Sequence, residues 1–205
     1  MINATIHSLF ATPIYITKLN REFTNEETNY INKIKLNCHK NASNYTSKDN
    51  NMINNKPFSS LREELSKIIK DYFNKVLCSA NTIKPYITQS WLNYTDTAQY
   101  HHVHNHPNSL VSGVVYINAD KDNDTIEFQS HRHSIIEPQT KEFNIFNSTK
   151  WWLPVDTGQV FLFPSSLSHS VNTKKGTNTR ISLAFNVFIK GTIGSKEGLT
   201  ELILT

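Results

Sequence analysis

The sequence predicts an α+β fold that is mainly β, in which helices precede an antiparallel sandwich or barrel. Two segments with helical periodicity lie before residue 80, and six short β-rich runs follow from Tyr86 onward. This order argues against alternating βαβ units, which would form a parallel sheet. A length of 205 residues favours one domain, because hydrophobic cores usually split only beyond roughly 250 residues.

The N-terminal region predicts an edge strand followed by a capped helix. Residues 6–19 alternate apolar and polar side chains around Pro13, a pattern typical of a strand at the edge of a sheet. Thr24 and Glu27 have the spacing of a capping box, in which each side chain bonds the backbone N–H of the other residue. They introduce a polar helix that we expect to end near Asn37.

A second helix is predicted from another capping-box pair, Ser60 and Glu63, and from an apolar stripe. The stripe recurs at three- and four-residue steps, as expected of one helical face that covers a sheet. Its members are Leu61, Leu65, Ile68, Ile69, Tyr72, Phe73 and Val76. Between the two helices, residues 40–58 are rich in Asn, Ser, Lys and Asp and are predicted to form a long surface loop.

The rest of the chain predicts strands separated by turns of Asp, Asn, Gly and Pro. Their sequences are ITQSWLNY, LVSGVVYIN, TIEFQS, WWLPV, QVFLFP and RISLAFNVFI. We therefore expect a single domain over residues 1–205 with three parts. Residues 1–84 form an N-terminal strand and supporting helices, residues 85–190 the β core, and residues 191–205 a tail or short covering segment.

The composition argues against several classes of protein. A hydrophobic fraction of 38% and a charged fraction of 19% indicate a globular chain rather than a disordered one. The net charge is +4, but Lys and Arg are scattered, so there is no specific nucleic-acid signal. Cys38 and Cys78 lack the paired spacing of a zinc site, and the chain shows no signal-peptide pattern or bilayer-spanning run. A cytoplasmic protein without membrane association is expected.

Four histidines crowd into six positions just before a predicted strand: His101, His102, His104 and His106. On an extended backbone alternate side chains point to the same face, so His104 and His106 can bind one ion. His102 shares that face. Neutral imidazoles are good ligands for divalent iron, cobalt, copper or zinc. His101 and His102 are expected to be exposed or to lie behind the ligands.

A third ligand must come from elsewhere in the chain, and His169 follows an apolar strand and a turn at Pro164. Arg180 then opens the strand ISLAFNVFI. With an inward side chain it would be a buried cation that needs a carboxylate or similar anion, which its planar fork can bind bidentately. The alternative role for Arg180 is a structural ion pair with an Asp or Glu of the β core.

Five blocks of the sequence carry a family resemblance. They are LFATP (9–13), SWLN (90–93), HNHPNS running into SGVVYIN (104–118), GQVFLFPSSLSH (158–169) and RISLAFN (180–186). In order and spacing they are similar to those of the iron(II)/2-oxoglutarate-dependent oxygenases, in particular a prolyl-hydroxylase-like bacterial and phage branch. The resemblance covers most of the chain.

This resemblance implies a jelly-roll barrel, the cupin-like double-stranded β-helix, with the N-terminal helices packed on one sheet. It implies a dioxygenase that uses Fe(II), with 2-oxoglutarate and O2 as co-substrates, to oxidise a C–H bond while 2-oxoglutarate becomes succinate. His104 and His169 match the family's metal ligands, and Arg180 matches the residue that binds the distal carboxylate of 2-oxoglutarate. Tyr116 sits where related hydroxylases place a second partner for that carboxylate. Asn93, in a strand that runs toward the site, is a candidate to orient the co-substrate or the substrate.

One position departs from the family pattern, because His106 stands where its HxD motif has Asp. Either His106 is itself the third ligand, together with His104 and His169, or a carboxylate from Asp96 or Glu127 folds in. A neutral imidazole in place of a carboxylate leaves the iron with a higher formal charge. The redox potential of the iron and its binding of 2-oxoglutarate should then differ from those of an HxD enzyme.

Two other functions remain open on the sequence. A cupin-type dioxygenase with three histidines would not use 2-oxoglutarate, and a non-catalytic jelly-roll module, for instance a binding or virion-associated protein, would need no catalytic metal. Residues 40–58 and 130–150 are the predicted lids, and His131 and His133 are expected to face solvent. The expected substrate is a small molecule or a peptidyl residue. The sequence indicates neither which one nor the oligomeric state.

Overall fold

Two antiparallel sheets face each other, and two helices cover the outer side of the larger one. The computed structural model describes residues 2–130, 136 and 138–205. His131 and His133, predicted to be exposed, lie outside the described residues. None of the described helices is both long enough and apolar enough to cross a membrane.

An edge strand and a capped helix come first, as predicted. Strand β1 (Tyr15–Lys18) lies at the edge of the larger sheet and leads into helix α1 (Asn25–Lys35). The Thr24 hydroxyl accepts a hydrogen bond from the Glu27 N–H at 3.1 Å, and the Glu27 carboxylate accepts one from the Thr24 N–H at 2.8 Å. The predicted capping box is therefore confirmed.

The segment between the helices is not the surface loop that its composition predicts. It forms a small hairpin, β2 (His39–Lys40) and β3 (Tyr45–Thr46), followed by two short 3-10 turns, Met52–Asn54 and Lys56–Phe58. Three of its apolar residues are fully buried: Met52, Ile53 and Phe58. The loop prediction was wrong because a few apolar anchors outweigh the polar majority once a core lies beneath them.

Helix α2 (Ser59–Tyr72) begins two residues too early for Ser60 to be its N-cap. Phe58 occupies the cap position without a side-chain hydrogen bond, so the second predicted capping box was wrong. The predicted apolar stripe is confirmed, because five of its members are buried and two are partly buried against the same core. A π-helical turn (Phe73–Leu77) then ends at Cys78, whose φ of 46° is left-handed.

Among the described residues, nine strands follow the helices: β4 (Ile83–Thr95), β5 (His101–His104), β6 (Val111–Asn118), β7 (Thr125–Gln129), β8 (Lys150–Pro154), β9 (Gln159–Pro164), β10 (His169–Val171), β11 (Arg180–Ile193) and β12 (Leu202–Leu204). The six predicted runs correspond to β4, β6, β7, β8, β9 and β11. The C-terminal segment is not a simple tail, because β11 extends into it and β12 pairs with the end of β11.

The larger sheet has the order β1-β9-β6-β11-β4-β3-β2, and the smaller one has the order β5-β10-β7-β8. One core lies between the helices and the outer face of the larger sheet. A second core lies between the two sheets, where Phe128 packs edge-to-face on Phe163. This arrangement is the jelly roll that the resemblance implied, so the predicted fold class is confirmed.

Strands β6 and β11 approach closely at Gly113, on the helix side of the larger sheet. A Cβ atom at this position would lie 2.2 Å from the Phe185 ring. Gly113 therefore lets the Phe185 ring lie flat in the helix-side core. The opposite, inner face of the same strands is left to form the floor of a site.

Candidate metal and co-substrate site

Three histidine side chains from two neighbouring strand ends converge between the sheets. His104 ends β5 and is paired with His169, the first residue of β10, while His106 follows two residues beyond the end of β5. Their candidate ligand nitrogens all lie within 4.8 Å of one another. The structure thus brings together the three residues singled out from the sequence.

His106 is not on the strand, contrary to the expectation that it shares an extended backbone with His104. The strand ends at His104, and the His106 N–H donates to the Ser165 carbonyl at 3.0 Å. A loop contact to the end of β9 therefore sets the position of His106, rather than strand alternation.

Backbone carbonyls fix the protonation of two of the rings. His104 Nδ1 lies 2.8 Å from the His102 carbonyl, and His169 Nδ1 lies 3.0 Å from the Leu167 carbonyl. Because a carbonyl only accepts, each Nδ1 carries the proton and each Nε2 keeps a free lone pair. This is the arrangement found around metal-binding histidines, whose second nitrogen is held by a neighbouring acceptor.

Burial keeps these imidazoles neutral. It lowers the pKa of His169 to about 3 and that of His106 to about 4, and it lowers the pKa of His104 as well. Neighbouring histidines add to the effect, because two positive rings at this spacing would repel each other. A neutral imidazole is the form that binds a divalent metal.

The other two histidines differ in their surroundings, because His101 lines the same cavity as His104 and His169 whereas His102 does not. His101 stacks on His104 with a centroid separation of 4.5 Å, and its Nε2 lies 3.3 Å from the Asn41 amide nitrogen. His102 is exposed. These two residues and His104 form a second group whose nitrogens lie within 4.8 Å. It includes the exposed His102, whereas no member of the group containing His169 is exposed.

Neither carboxylate that could have replaced the family's Asp joins the cluster. Asp96 accepts a hydrogen bond from the Thr179 hydroxyl, and Glu127 pairs with Lys150 at 3.3 Å. Within the part of the chain that the structure describes, neither residue belongs to a group able to hold a metal. Of the two sequence-based alternatives, the geometry favours the one with His106.

Arg180 is a buried cation with unused donors. Its side chain donates to the Thr125 carbonyl at 3.1 Å, and its Nε atom has no partner among the described residues. The nearby Asp124 is paired with Lys174 at 3.3 Å. No carboxylate within the described ranges forms a salt bridge with Arg180, and burial lowers its pKa. The environment resembles an incomplete anion site more than a structural ion pair.

One cavity is lined by the histidines, Arg180, Tyr116 and Asn93. Tyr116 is buried, which raises its pKa to about 12, and Asn93 accepts a hydrogen bond from the Thr46 hydroxyl at 3.3 Å. All six predicted site residues therefore face one space. The open volume is about 50 Å³.

Some residues near the site were missed from the sequence. Trp91 lies 5.4 Å from His106 between ring centroids, and Gln89 and Asn186 line a second cavity beside them. Alternation along β4 is the signal that could have found Gln89 and Trp91, since Asn93 was already assigned to the inner face. Nothing in the sequence indicated the pairing that brings Asn186 beside Gln89.

Comparison with known proteins identifies a matching family. The family described as "Putative 2OG-Fe(II) oxygenase" matches residues 89–186, which include every predicted site residue. No curated protein matches the sequence.

Among solved structures, the fold is similar to that of HygX from Streptomyces hygroscopicus with nickel, 2-oxoglutarate and hygromycin B bound. The TM-score is 0.59 at 11% identity, over 86% of this chain and 82% of that one. It is also similar to a Pseudomonas putida prolyl-4-hydroxylase, with a TM-score of 0.56 at 9% identity, over 87% of this chain and 94% of that one. At these identities the likeness concerns the fold.

Proposed function

Since the chain belongs to the 2OG-Fe(II) oxygenase superfamily, we propose that His104, His106 and His169 bind its iron(II) ion and that Arg180 binds 2-oxoglutarate. The protein is an oxygenase with iron(II), 2-oxoglutarate and O2 as its cofactor and co-substrates. One observation carries the residue assignment: three neutral imidazoles and an incompletely bonded guanidinium line the same cavity.

The donor set suits iron(II). Imidazole binds divalent iron well, and three imidazoles leave further coordination positions for a chelating co-substrate and O2. Without a carboxylate the ligands carry no negative charge, so the ion keeps its full formal charge of about +2. A dianionic co-substrate would balance that charge, which favours 2-oxoglutarate as the chelating ligand.

The co-substrate carboxylate would lie against Arg180. The guanidinium has donors to spare, and a carboxylate accepts from two of them at once. Tyr116 adds a hydroxyl on the same side of the cavity, and Asn93 offers an amide held by Thr46. Bound iron with 2-oxoglutarate and O2 supplies the oxidising chemistry, in which decarboxylation to succinate accompanies oxidation of a substrate C–H bond.

The protein's own residues would hold the reactants in place and keep water out. The β2–β3 hairpin reaches the site at two points, through Asn41 beside His101 and Thr46 beside Asn93. It is the part of the predicted 40–58 lid with direct contacts to site residues. As a fixed part of the larger sheet, it would shield this side of the cavity from solvent.

The substrate is proposed to be a small molecule or a peptidyl residue that undergoes hydroxylation. The structurally similar HygX has hygromycin B bound, and the similar protein from Pseudomonas putida is a prolyl-4-hydroxylase. Both substrate kinds are therefore compatible with this fold, and the loops around the cavity decide between them.

A direct test measures succinate formation by the purified protein with iron(II), 2-oxoglutarate and O2. We expect slow uncoupled turnover in the wild type, and loss of both iron binding and turnover in His169→Ala. His7→Ala should retain both iron binding and turnover, because it removes an exposed histidine that lies far in the sequence from the site residues. The assignment of ligands is wrong if His169→Ala binds iron normally by elemental analysis.

The same assay separates the other readings of the sequence. A cupin-type three-histidine dioxygenase would bind iron but neither bind nor consume 2-oxoglutarate. A non-catalytic module would yield no stoichiometric iron, cobalt, nickel or zinc when purified without chelator. Arg180 is the residue that favours the 2-oxoglutarate reading, because a buried guanidinium with an unbonded Nε needs an anion.

A further inference from the structure

A second cavity of about 300 Å³ adjoins the proposed iron site. It shares His106 and Trp91 with the first cavity, so the two spaces meet at those side chains. Its remaining walls come from the middle of β4, the turn after His106 and the middle of β11. They are Thr88, Gln89, Pro107, Asn108 and Asn186. None of these residues has a role in the binding of iron or 2-oxoglutarate proposed above.

The register of the larger sheet sets the two cavities apart along its inner face. On β11, Arg180 pairs with Thr95 of β4, whereas Asn186 pairs with Gln89. Six residues of strand separate Arg180 from Asn186, or about 20 Å at the usual rise of a β-strand. The end near Arg180 is cationic and suits the co-substrate. The part of this face near Asn186, in the middle of β11, is available to another ligand.

A β-bulge turns two consecutive residues toward the second cavity. Pairing between β11 and β4 shifts by one residue after Asn186, which leaves Thr88 unpaired. The Thr88 hydroxyl donates to the Asn186 carbonyl at 3.2 Å, and both Thr88 and Gln89 line the cavity. In a regular strand these two side chains would point to opposite faces. Bulges commonly re-aim side chains in this way beside a site.

The amide of Gln89 belongs to a chain of hydrogen bonds that runs through Asn186 and Ser112. The Ser112 hydroxyl donates to Asn186 Oδ1 at 3.2 Å, so the Asn186 NH2 group donates to Gln89 Oε1 at 3.1 Å. Ser112 is held in turn by Ser165, whose carbonyl accepts the His106 N–H. Among the described residues, the Gln89 NH2 group then has no acceptor. Gln89 is exposed and lines the cavity, so this donor is available to a ligand there.

The character of the walls limits the ligand. The described residues around this cavity include no Asp, Glu, Lys or Arg. A charged ligand would therefore find no partner of opposite charge among these walls. Trp91 and Pro107 offer apolar surfaces, while Asn108, with a left-handed φ of 58°, adds a second amide at the rim.

We propose that this cavity binds the primary substrate, and that the substrate is an uncharged molecule with an amide carbonyl that accepts from Gln89 Nε2 while an apolar group lies on Trp91. The carbon to be oxidised then lies next to His106, across the proposed iron site from Arg180. The oxidation of that carbon rests on the proposed function. The preference for an uncharged ligand with an amide carbonyl rests only on the walls of the cavity.

The test uses matched pairs of neutral and charged probes: N-acetyl amino-acid N-methylamides and the corresponding free amino acids. Saturation-transfer NMR would measure their binding to the zinc-loaded protein, with and without 2-oxoglutarate. We expect at least one capped compound to bind about tenfold more tightly than its zwitterionic counterpart. Equal binding of the two forms, or no binding by any capped compound, would overturn the proposal.

A substitution pair tests the role of Gln89. Gln89→Glu removes the NH2 donor with little change in shape, and we expect it to weaken binding of the capped probe about tenfold, the usual effect of one lost hydrogen bond. Asn74→Asp, the same chemical change on the exposed surface of the π-helical turn, should leave binding unchanged. Thermal unfolding checks that both variants fold. Unweakened binding in Gln89→Glu would contradict the proposed contact.

Failure of the proposed function gives a different result. If the wild type does not bind 2-oxoglutarate, the oxygenase assignment of Arg180 fails, yet capped probes should still bind through Gln89. If 2-oxoglutarate binds and is consumed but the capped probes do not bind, the substrate proposal alone is wrong. The source of the amide is resolved by comparing a capped single residue with a capped tripeptide, since a peptidyl substrate favours the longer probe.

Discussion

At the scale of single residues, His106 is where this protein differs from the HxD pattern that its family resemblance implies. Its ring faces His169 and Trp91, and its backbone is anchored to the end of β9. An imidazole there carries no charge at neutral pH, because burial lowers its pKa to about 4. The site therefore offers three neutral donors. Electrostatic balance at the iron then depends more on the anionic co-substrate than in an HxD enzyme.

The role of Arg180 is open to a quantitative test. We expect Arg180→Ala to retain iron and to weaken 2-oxoglutarate binding by about 2 kcal/mol or more, since a charge-assisted bidentate pair is lost. Arg180→Lys should weaken it less, because a lysine keeps the charge but not the planar fork. Calorimetric titration of 2-oxoglutarate into the zinc-loaded variants measures both effects.

The exposed Arg62 provides the control for this experiment. Arg62→Ala also removes one positive charge from the protein, but its guanidinium bonds Asn54 at the surface, 3.2 Å away. The affinity of the Arg62→Ala variant for 2-oxoglutarate should match that of the wild type. An Arg180→Ala variant with unchanged 2-oxoglutarate affinity would instead indicate that the guanidinium is structural.

At the scale of elements, the long pair β4 and β11 serves two purposes at once. Its outer face sends Leu92 and Leu183 into the core beneath the helices, and its inner face presents Trp91, Asn93 and Arg180 to the cavities. The two-residue period of a strand makes this division possible. One consequence is that a change of register by one residue would exchange core and site side chains.

The capping box of α1 gives a prediction about stability. Thr24→Ala removes the acceptor of the Glu27 N–H, and we expect the free energy of unfolding to fall by about 1 kcal/mol. Thr24→Asp, which keeps an acceptor at the cap, should stay within a few tenths of the wild type. Urea unfolding followed by circular dichroism measures the difference. An equal loss in both variants would mean that the cap bond contributes little.

At the scale of the whole molecule, the helix layer and the site layer share one sheet. Helix α2 buries Leu65 completely against the outer core, while the inner face of the sheet carries the polar cavity. The apolar core on one side thus stabilises strands whose other side holds buried polar groups. Such polar groups contribute little to stability and require a firm scaffold.

This dependence predicts the effect of loosening the outer core. Leu65→Ala should lower the free energy of unfolding by about 2–5 kcal/mol, the usual cost of a large-to-small change in a packed core. Leu36→Ala is the matched control, because Leu36 is 89% exposed and should change stability little. Denaturant titration of the two variants gives the comparison. Similar stability losses in both would contradict the assigned core.

Sequence reasoning reached local features well. The capping box at Thr24, the α2 stripe and six strands were predicted, because each depends on residues a few positions apart. His104, His169 and Arg180 were selected by residue type and spacing together with the family resemblance, and all three line one cavity. The short strands that hold the histidines in register were not distinguished, since three or four residues carry too little periodicity.

Long-range pairing was beyond the sequence. The β2–β3 hairpin was read as a loop because its composition is polar, although Met52 and Ile53 anchor the following turn in the core. The bulge at Thr88 and the contact of Asn186 with Gln89 depend on how β4 meets β11, nearly a hundred positions away. Neither leaves a local pattern.

The sequence by itself determined the layer order, the amphipathic faces and the identity of the chemically active side chains, since these follow from periodicity and residue type. Only the tertiary structure decided that His106 is positioned by the end of β9, that Arg180 lacks a carboxylate partner within the described chain, and that a neutral cavity lies beside Asn186 on the inner face of the sheet. The reason is physical: hydrophobic patterning acts between near neighbours, whereas register and cavity shape arise when distant strands pack together.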